Sequence, residues 1–470
     1  MKYSLLLIPF LLTGCALGPD YMPVKWDLSP VWKEKPATVS LADNPKAEID
    51  KEWWKTFDDP ALNDLITKAL VNNLDIKIAM AHIKEARAER LGVIAGQLPE
   101  VDATANAGRT KNSANTFSLG GGKPFNAFNA GFDASWEADI FGGRRAIEAA
   151  NATLEAAQES AHDVEVTLLG DVASQYIAVR NYQNQIKVAE ENLAAQRDTL
   201  ELTQSRSQAG LVSNIDVTQA QALVQTTESD IPALRASMRQ SLHSLEILLG
   251  EQPGALENLV AETPPVPVSA HEVVTGAPAD ILRNRPDIRE AERQLAAATA
   301  VQGVALAEMF PKISLSSMLG LGSSQTSNLL TGASRTWSLG AGALLPVLDF
   351  GRIRADINIA DAQQEQAFLN YQKTVLNALK EVENALVAYT QEKDRLVSVT
   401  QSVESDKTAA HLIDMRYHKG LISFLNVLDA QRSLYAAQIA QAQSRAALST
   451  DLIVLYKVLG GGWQNVAEQK

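Results

Sequence analysis

The sequence predicts a mainly α fold with a small amphipathic β part, written twice along one chain. Three observations predict it: short matches recur in the same order about 210 residues apart, each copy carries two stretches of strict apolar/polar alternation, and each carries a long helical pattern free of proline. Asn73-Leu74-Asp75-Ile76 recurs as Arg285-Pro286-Asp287-Ile288, and Gln97-Leu98-Pro99 as Met309-Phe310-Pro311, both displaced by 212. Asp139 to Arg145 recurs as Asp349 to Arg354, and Ala209 to Val217 as Lys419 to Val427, displaced by 209 or 210. Each copy therefore reads helix, two strands, long helix, tight turn, helix.

Composition narrows what such a chain can do. Its 42 Lys+Arg against 55 Asp+Glu give a net charge of -13, the wrong sign for neutralising nucleic-acid phosphates. A hydrophobic share of 46% excludes disorder, and a single cysteine excludes an intrachain disulfide framework or a multi-cysteine metal site. The six histidines form no paired-ligand spacing, a surface position is the reading for them, and no catalytic triad stands out; neither an enzyme nor a resident cofactor is expected.

The elements follow in chain order. Lys2, the apolar Leu5 to Leu12 and Leu12-Thr13-Gly14-Cys15 form a processing signal whose apolar run falls well short of the roughly 20 residues a spanning helix needs. The box resembles that of bacterial lipoproteins, which implies cleavage after residue 14, acylation of Cys15 and, with Ala16 following, sorting to the outer membrane. Trp26, Trp32, Trp53 and Trp54 read as packing for the N-terminal strap.

A first helix near 60–96 is patterned by Leu62, Leu65, Ile66, Ala69, Ile76, Ala79 and Ile83, and Pro99 closes it. Then Val101, Ala103, Ala105 and Ala107 alternate with polar residues, and Phe128, Ala130, Phe132, Ala134 and Trp136 do so beyond a glycine turn. The second copy repeats this with Ile313, Leu315, Leu319 and Leu321, then Trp337, Leu339, Ala341 and Ala343. From Ile147 through Ala150, Leu154, Ala157, Ala161, Val164 and Leu168 the spacing is a heptad seam that continues to about Ser207, a helix of about 100 Å. Gly210 ends it, and Ser213 with Asp216 starts the return helix. The second hairpin runs from Gly351 to Lys419, turns at Gly420 and returns from Ser423 to about Leu459.

Four strands with unlike faces cannot close a barrel, and an open edge in hydrocarbon would strand unpaired backbone groups. Strands in a membrane thus require several chains. Three copies would supply twelve strands and a helical tunnel.

The chain resembles the outer membrane factors, the TolC-like trimeric channels, and most closely the lipoprotein (NodT-type) branch from tripartite multidrug efflux pumps. The residues that carry the resemblance are the box at Cys15 with Gly18-Pro19-Asp20-Tyr21, Trp53-Trp54-Lys55, Arg285-Pro286-Asp287-Ile288, Phe310-Pro311, Asp349-Phe350-Gly351, Gly420-Leu421, Leu428-Asp429-Ala430-Gln431-Arg432 and Leu459-Gly460-Gly461-Gly462-Trp463. The resemblance implies a signal peptide (1–14), a lipidated strap (15–60), a first repeat (61–250), an equatorial connector (251–285), a second repeat (286–460) and a tail (461–470). It implies long antiparallel helices forming a periplasmic α-barrel, and four strands per chain in a trimeric twelve-stranded outer-membrane β-barrel, with Phe128, Phe132, Trp136, Leu315, Trp337 and Leu339 toward lipid.

The implied function is a passive exit duct for small molecules and drugs, loaded by an inner-membrane transporter through a periplasmic adaptor. Gly210, Leu211, Val212, Gly420, Leu421 and Ile422 would be the adaptor-docking tips. Leu425, Asp429 and Arg432, at i, i+4 and i+7, match the family's constriction and acidic ring. Asp429 and Arg432 also fit a plain solvated helix pair. A type I secretion outlet, or a lipid-anchored periplasmic coiled-coil scaffold, are the alternative readings.

Overall fold

A computed structural model of the chain describes residues 17–29, 31–34, 51–115, 122–269 and 278–463. The signal and Cys15 lie outside the described residues. Among the described residues eight α-helices and four strands follow in the order α1 (Pro60–Asn72), α2 (Leu74–Ala95), β1 (Glu100–Thr110), β2 (Phe125–Ala138), α3 (Gly143–Gln208), α4 (Asn214–Leu248), α5 (Pro278–Asn284), α6 (Pro286–Ala307), β3 (Lys312–Ser323), β4 (Arg335–Leu344), α7 (Arg352–His418) and α8 (Phe424–Val458). Helices α3 and α7 run 66 and 67 residues without a break, and α4 and α8 are 35 residues each.

The chain divides into two compact units that cut across the repeats. One takes Met1–Lys25, His82–Gln158 and Glu290–Gln372; the other takes Trp26–Ala81, Glu159–Arg289 and Lys373–Lys470. The first unit holds the sheet, a meander in the order β1-β2-β3-β4 with every neighbour antiparallel. Register puts Ala103 opposite Phe132, Phe132 opposite Leu319 and Leu319 opposite Trp337, so one apolar row crosses all four strands. Paired residues share a face, and the other face carries Asp102, Thr104, Asn106, Asp133, Ser135, Ser314 and Ser316. It is the only sheet among the described residues, and β1 is exposed along its whole length. The strand ends of this unit are pinned by Phe141 against Phe310, with ring centroids 4.9 Å apart, and by the Trp136 indole donating to the Gln97 carbonyl at 2.9 Å.

The second unit corrects the first helix. The pattern over 60–96 predicted one helix; the structure breaks it at Asn73, whose ψ of 139° leaves the helical region. The Asn73 carboxamide accepts from the Asp75 and Ile76 amides, capping α2, and donates to the Leu248 carbonyl at the end of α4. Arg285 breaks the second repeat at the matching place, between α5 and α6, and donates to the Val458 carbonyl at the end of α8. Two unlike side chains thus hold the same carbonyl of the two repeats. Arg285 is buried and is matched by Asp287 at 2.7 Å and Glu381 at 2.8 Å, so its charge is not left uncompensated.

Trp53 stacks on Tyr456 with centroids 5.4 Å apart, and Trp54 meets Trp53 edge-on; both indoles are buried in this unit. His162 departs from the surface expectation: it is half-buried, stacked on Trp463 at 4.5 Å and bonded to Glu159. The heptad seam is also broader than its spacing implied. Ala161 and Leu168 are buried, but so are Val166, Leu169, Val172 and Val179, so α3 is packed on several sides here. No described helix is long and apolar enough to cross a membrane.

Candidate functional site

The helical tips are built by two matching turns. At the end of α3 the Gly210 amide donates to the Ser207 carbonyl and the Leu211 amide to the Arg206 carbonyl; at the end of α7 the Gly420 and Leu421 amides reach Tyr417 and Arg416 in the same way. Both glycines have positive φ, 73° and 70°, which favours a residue without a Cβ. The turns leave Leu211 73% and Leu421 65% exposed, while Val212 is half-buried and Ile422 packs on an internal cluster. Ser213 and Asp216 close a capping box at the start of α4; Ser423 makes no such side-chain cap at α8.

Behind the tips a cluster of Ala220, Leu223, Tyr417, Phe424, Val427 and Leu428 joins the two hairpins. Arg206 secures it, donating to the Tyr417 and His418 carbonyls at 2.8 Å each and lying over the Tyr417 ring at 4.5 Å. A guanidinium on the carbonyls of a helix end meets the negative pole of that helix. Sequence reading missed Arg206; its place in the last turn of α3 was the only signal, and nothing local pointed to α7.

Phe424, Val427 and Leu428 take the packed face of α8 and leave Leu425, Asp429 and Arg432 together on the exposed flank beside it. Among the described residues neither Asp429 nor Arg432 forms an ion pair, so the helix pair that their spacing also permits is not made. The first repeat places Ile215, 67% exposed, where the second has Leu425, but Gln219 where it has Asp429. The apolar position is thus shared and the charge belongs to one repeat.

In the sheet-bearing unit, Phe128, Phe132, Trp136, Leu315, Trp337 and Leu339 all fall on the apolar face. Phe132, Trp337 and Leu339 are 59%, 76% and 77% exposed, a surface too apolar to face water economically. The strap enters this unit at Arg145. Its guanidinium, 4% exposed, donates to the Leu17 and Gly18 carbonyls and pairs with Asp20 at 2.8 Å and Glu148 at 2.7 Å. Tyr21 donates to Glu292 at 2.7 Å, and burial, then that bond and its negative charge, push the phenol up. No described cluster of His, Cys, Asp or Glu could hold a metal ion.

Strands of 10 to 14 residues with one apolar and one polar face, in a chain whose helical hairpins are about 100 Å long, define an outer-membrane channel protein. The chain belongs to the outer membrane efflux protein family, whose profile matches residues 65–251 and 277–461. It is 34% identical over 477 residues to nodulation protein T of Rhizobium leguminosarum bv. trifolii, covering 100% of this chain and 99% of that one. It is 36% identical to the pyoverdine export outer membrane protein OpmQ of Pseudomonas aeruginosa, covering 88% of each. Among solved structures, the outer-membrane channel OprN is 34% identical with a TM-score of 0.89, covering 96% of this chain and 100% of that one. The CmeC outer membrane channel of Campylobacter jejuni is 25% identical with a TM-score of 0.89, covering 95% of each. The protein is an outer-membrane efflux channel, and its place is the outer membrane.

Proposed function

We propose that three copies of this chain close a twelve-stranded barrel continued by a periplasmic helical tunnel, held to the membrane by acylation of Cys15 and passively conducting small molecules outward. A periplasmic adaptor grips the tips at Gly210–Val212 and Gly420–Ile422, and an inner-membrane transporter supplies substrate and energy. The observation that carries this reading is the sheet: among the described residues β1 and β4 are both free edges, and nothing covers its apolar face. Closure with other copies pairs both edges, and the hydrocarbon of the bilayer covers the apolar face. The Arg145 clamp supports the anchor, because it holds Leu17 two residues from Cys15.

The relatives' names pair one architecture with unlike cargoes: pyoverdine export for OpmQ, solvent efflux for SrpC and toluene efflux for TtgI, both of Pseudomonas putida. That range favours a duct whose selectivity lies in its transporter. Leu425, Asp429 and Arg432 form the gate: three Asp429 carboxylates around one axis repel each other and draw cations, and the three Arg432 side chains moderate that repulsion. In planar bilayers, Asp429→Ala with Arg432→Ala raises single-channel conductance several-fold; conductance equal to that of the unaltered protein removes both residues from the gate.

A further inference from the structure

The seam joining the two repeats inside the chain specifies how one copy meets the next. β2, the last strand of the first repeat, pairs with β3, the first of the second, from Phe128↔Ser323 to Ala138↔Ile313. Within the repeats, Glu100 faces Ser135 as Lys312 faces Leu344. β1 therefore maps onto β3 by the shift that carries Pro99 to Pro311, and β2 onto β4 by the shift that carries Phe141-Gly142 to Phe350-Gly351. Two glycines mark the internal seam. Gly131 lies opposite Gly320, and a Cβ on either would stand 2.7 Å from a backbone oxygen of the facing strand. The same shifts carry Gly131 to Gly340 and Gly320 to Gly108, which lie on the two free edges. There a Cβ on Gly108 would meet nothing within 4 Å, and one on Gly340 only Ser316.

We propose that β4 of one copy pairs antiparallel with β1 of the next in the register that sets Gly340 opposite Gly108, Gly342 opposite Asn106 and Ala343 opposite Ala105. The glycines at these edges are then the halves of a close strand contact that the single chain leaves open. Faces agree: Ala343 and Ala105 both lie on the apolar side, and a slip of one residue would turn every side chain to the wrong face. A slip of two keeps the faces but separates the glycines. The register also gives partners to apolar residues beyond β4. Leu345 and Val347, 49% and 90% exposed, fall opposite Ala103 and Val101 of the next copy, as Trp136 and Ala138 fall opposite Leu315 and Ile313 within the chain. This head-to-tail contact generates a ring. The number of copies rests on the trimer reading above; the register does not.

The chain's one native cysteine, Cys15, leaves engineered pairs readable against single-cysteine controls. Full-length protein carrying Ala105→Cys with Ala343→Cys, or Asn106→Cys with Gly342→Cys, is oxidised in outer membranes and run under denaturing, non-reducing conditions. Adjacent antiparallel pairs alternate between wide and narrow spacing, so at least one matched variant yields covalent oligomers at about tenfold the level of the slipped Ala107→Cys/Ala343→Cys variant. A slipped variant that links as well as the matched ones, or no linkage in protein that native mass spectrometry finds assembled, overturns the register. A monomeric mass overturns the register and the assembly reading together. A ring of another number with matched linkage intact supports the register and rejects the trimer alone.

Discussion

Glu165 sits in α3 with 3% of its surface exposed and one carboxylate oxygen lacking a hydrogen-bond partner. Burial alone pushes its carboxyl from 4.5 up to about 8. The folded chain therefore keeps a proton that the unfolded chain releases near 4.5. Stability from this group is full below about pH 4.5 and is lost as pH rises through about 8. Glu165→Gln keeps the shape and removes the titration. Its melting temperature in detergent is predicted to fall several degrees less than that of the unaltered protein between about pH 5 and about pH 9. Parallel losses in both proteins would show that Glu165 does not titrate between folded and unfolded states. Such a residue is invisible in sequence: an isolated acidic residue within a long helix reads as a solvated one, and only the packing on several sides of α3 reveals the cost.

At the scale of elements, periodicity made most of the fold legible, because a strand with unlike faces and a helix with a seam each impose their own period. The four strands, both long helices and both tips were readable for that reason. The break at Asn73 was not, since neither glycine nor proline interrupts Asn72-Asn73-Leu74 and the apolar spacing runs through it. The signal lay one repeat away, in Pro286 after Arg285, because proline disfavours helix in the residue before it. The turns ending α4 and α8 make a matching prediction. A Cβ on Gly250 would stand 2.7 Å from the Asn72 carbonyl oxygen, and one on Gly460 2.7 Å from that of Asn284, both at positive φ. Gly250→Ala and Gly460→Ala should each cost more than about 1 kcal/mol in reversible unfolding. A change within error at either would mean that the α1/α2 or α5/α6 corner shifts freely away from the helix end.

For the whole molecule, the compact units were not readable, because each gathers segments from both repeats while sequence matching sees only their order. Of the proposed gate, the exposed face of α8 was legible from spacing; the Arg206 latch onto α7, 211 residues away at Tyr417, was not. The tips carry a prediction at this scale. Leu211→Asp with Leu421→Asp places charge on two exposed apolar positions that touch no internal cluster, so the protein should reach the outer membrane in normal amount yet lose adaptor-dependent drug resistance. Resistance equal to wild type at matched abundance would move adaptor docking away from the tips. The covalent link between repeats has a kinetic consequence. Because β2 and β3 belong to one polypeptide, their seam forms at an effective concentration set by the connecting chain, not by the amount of protein in the cell. Only the β4-to-β1 seams then demand collisions. A ring of fused repeats depends on dilution with half the reaction order of a ring of separate ones, so it persists at protein concentrations at which separate repeats would fall apart.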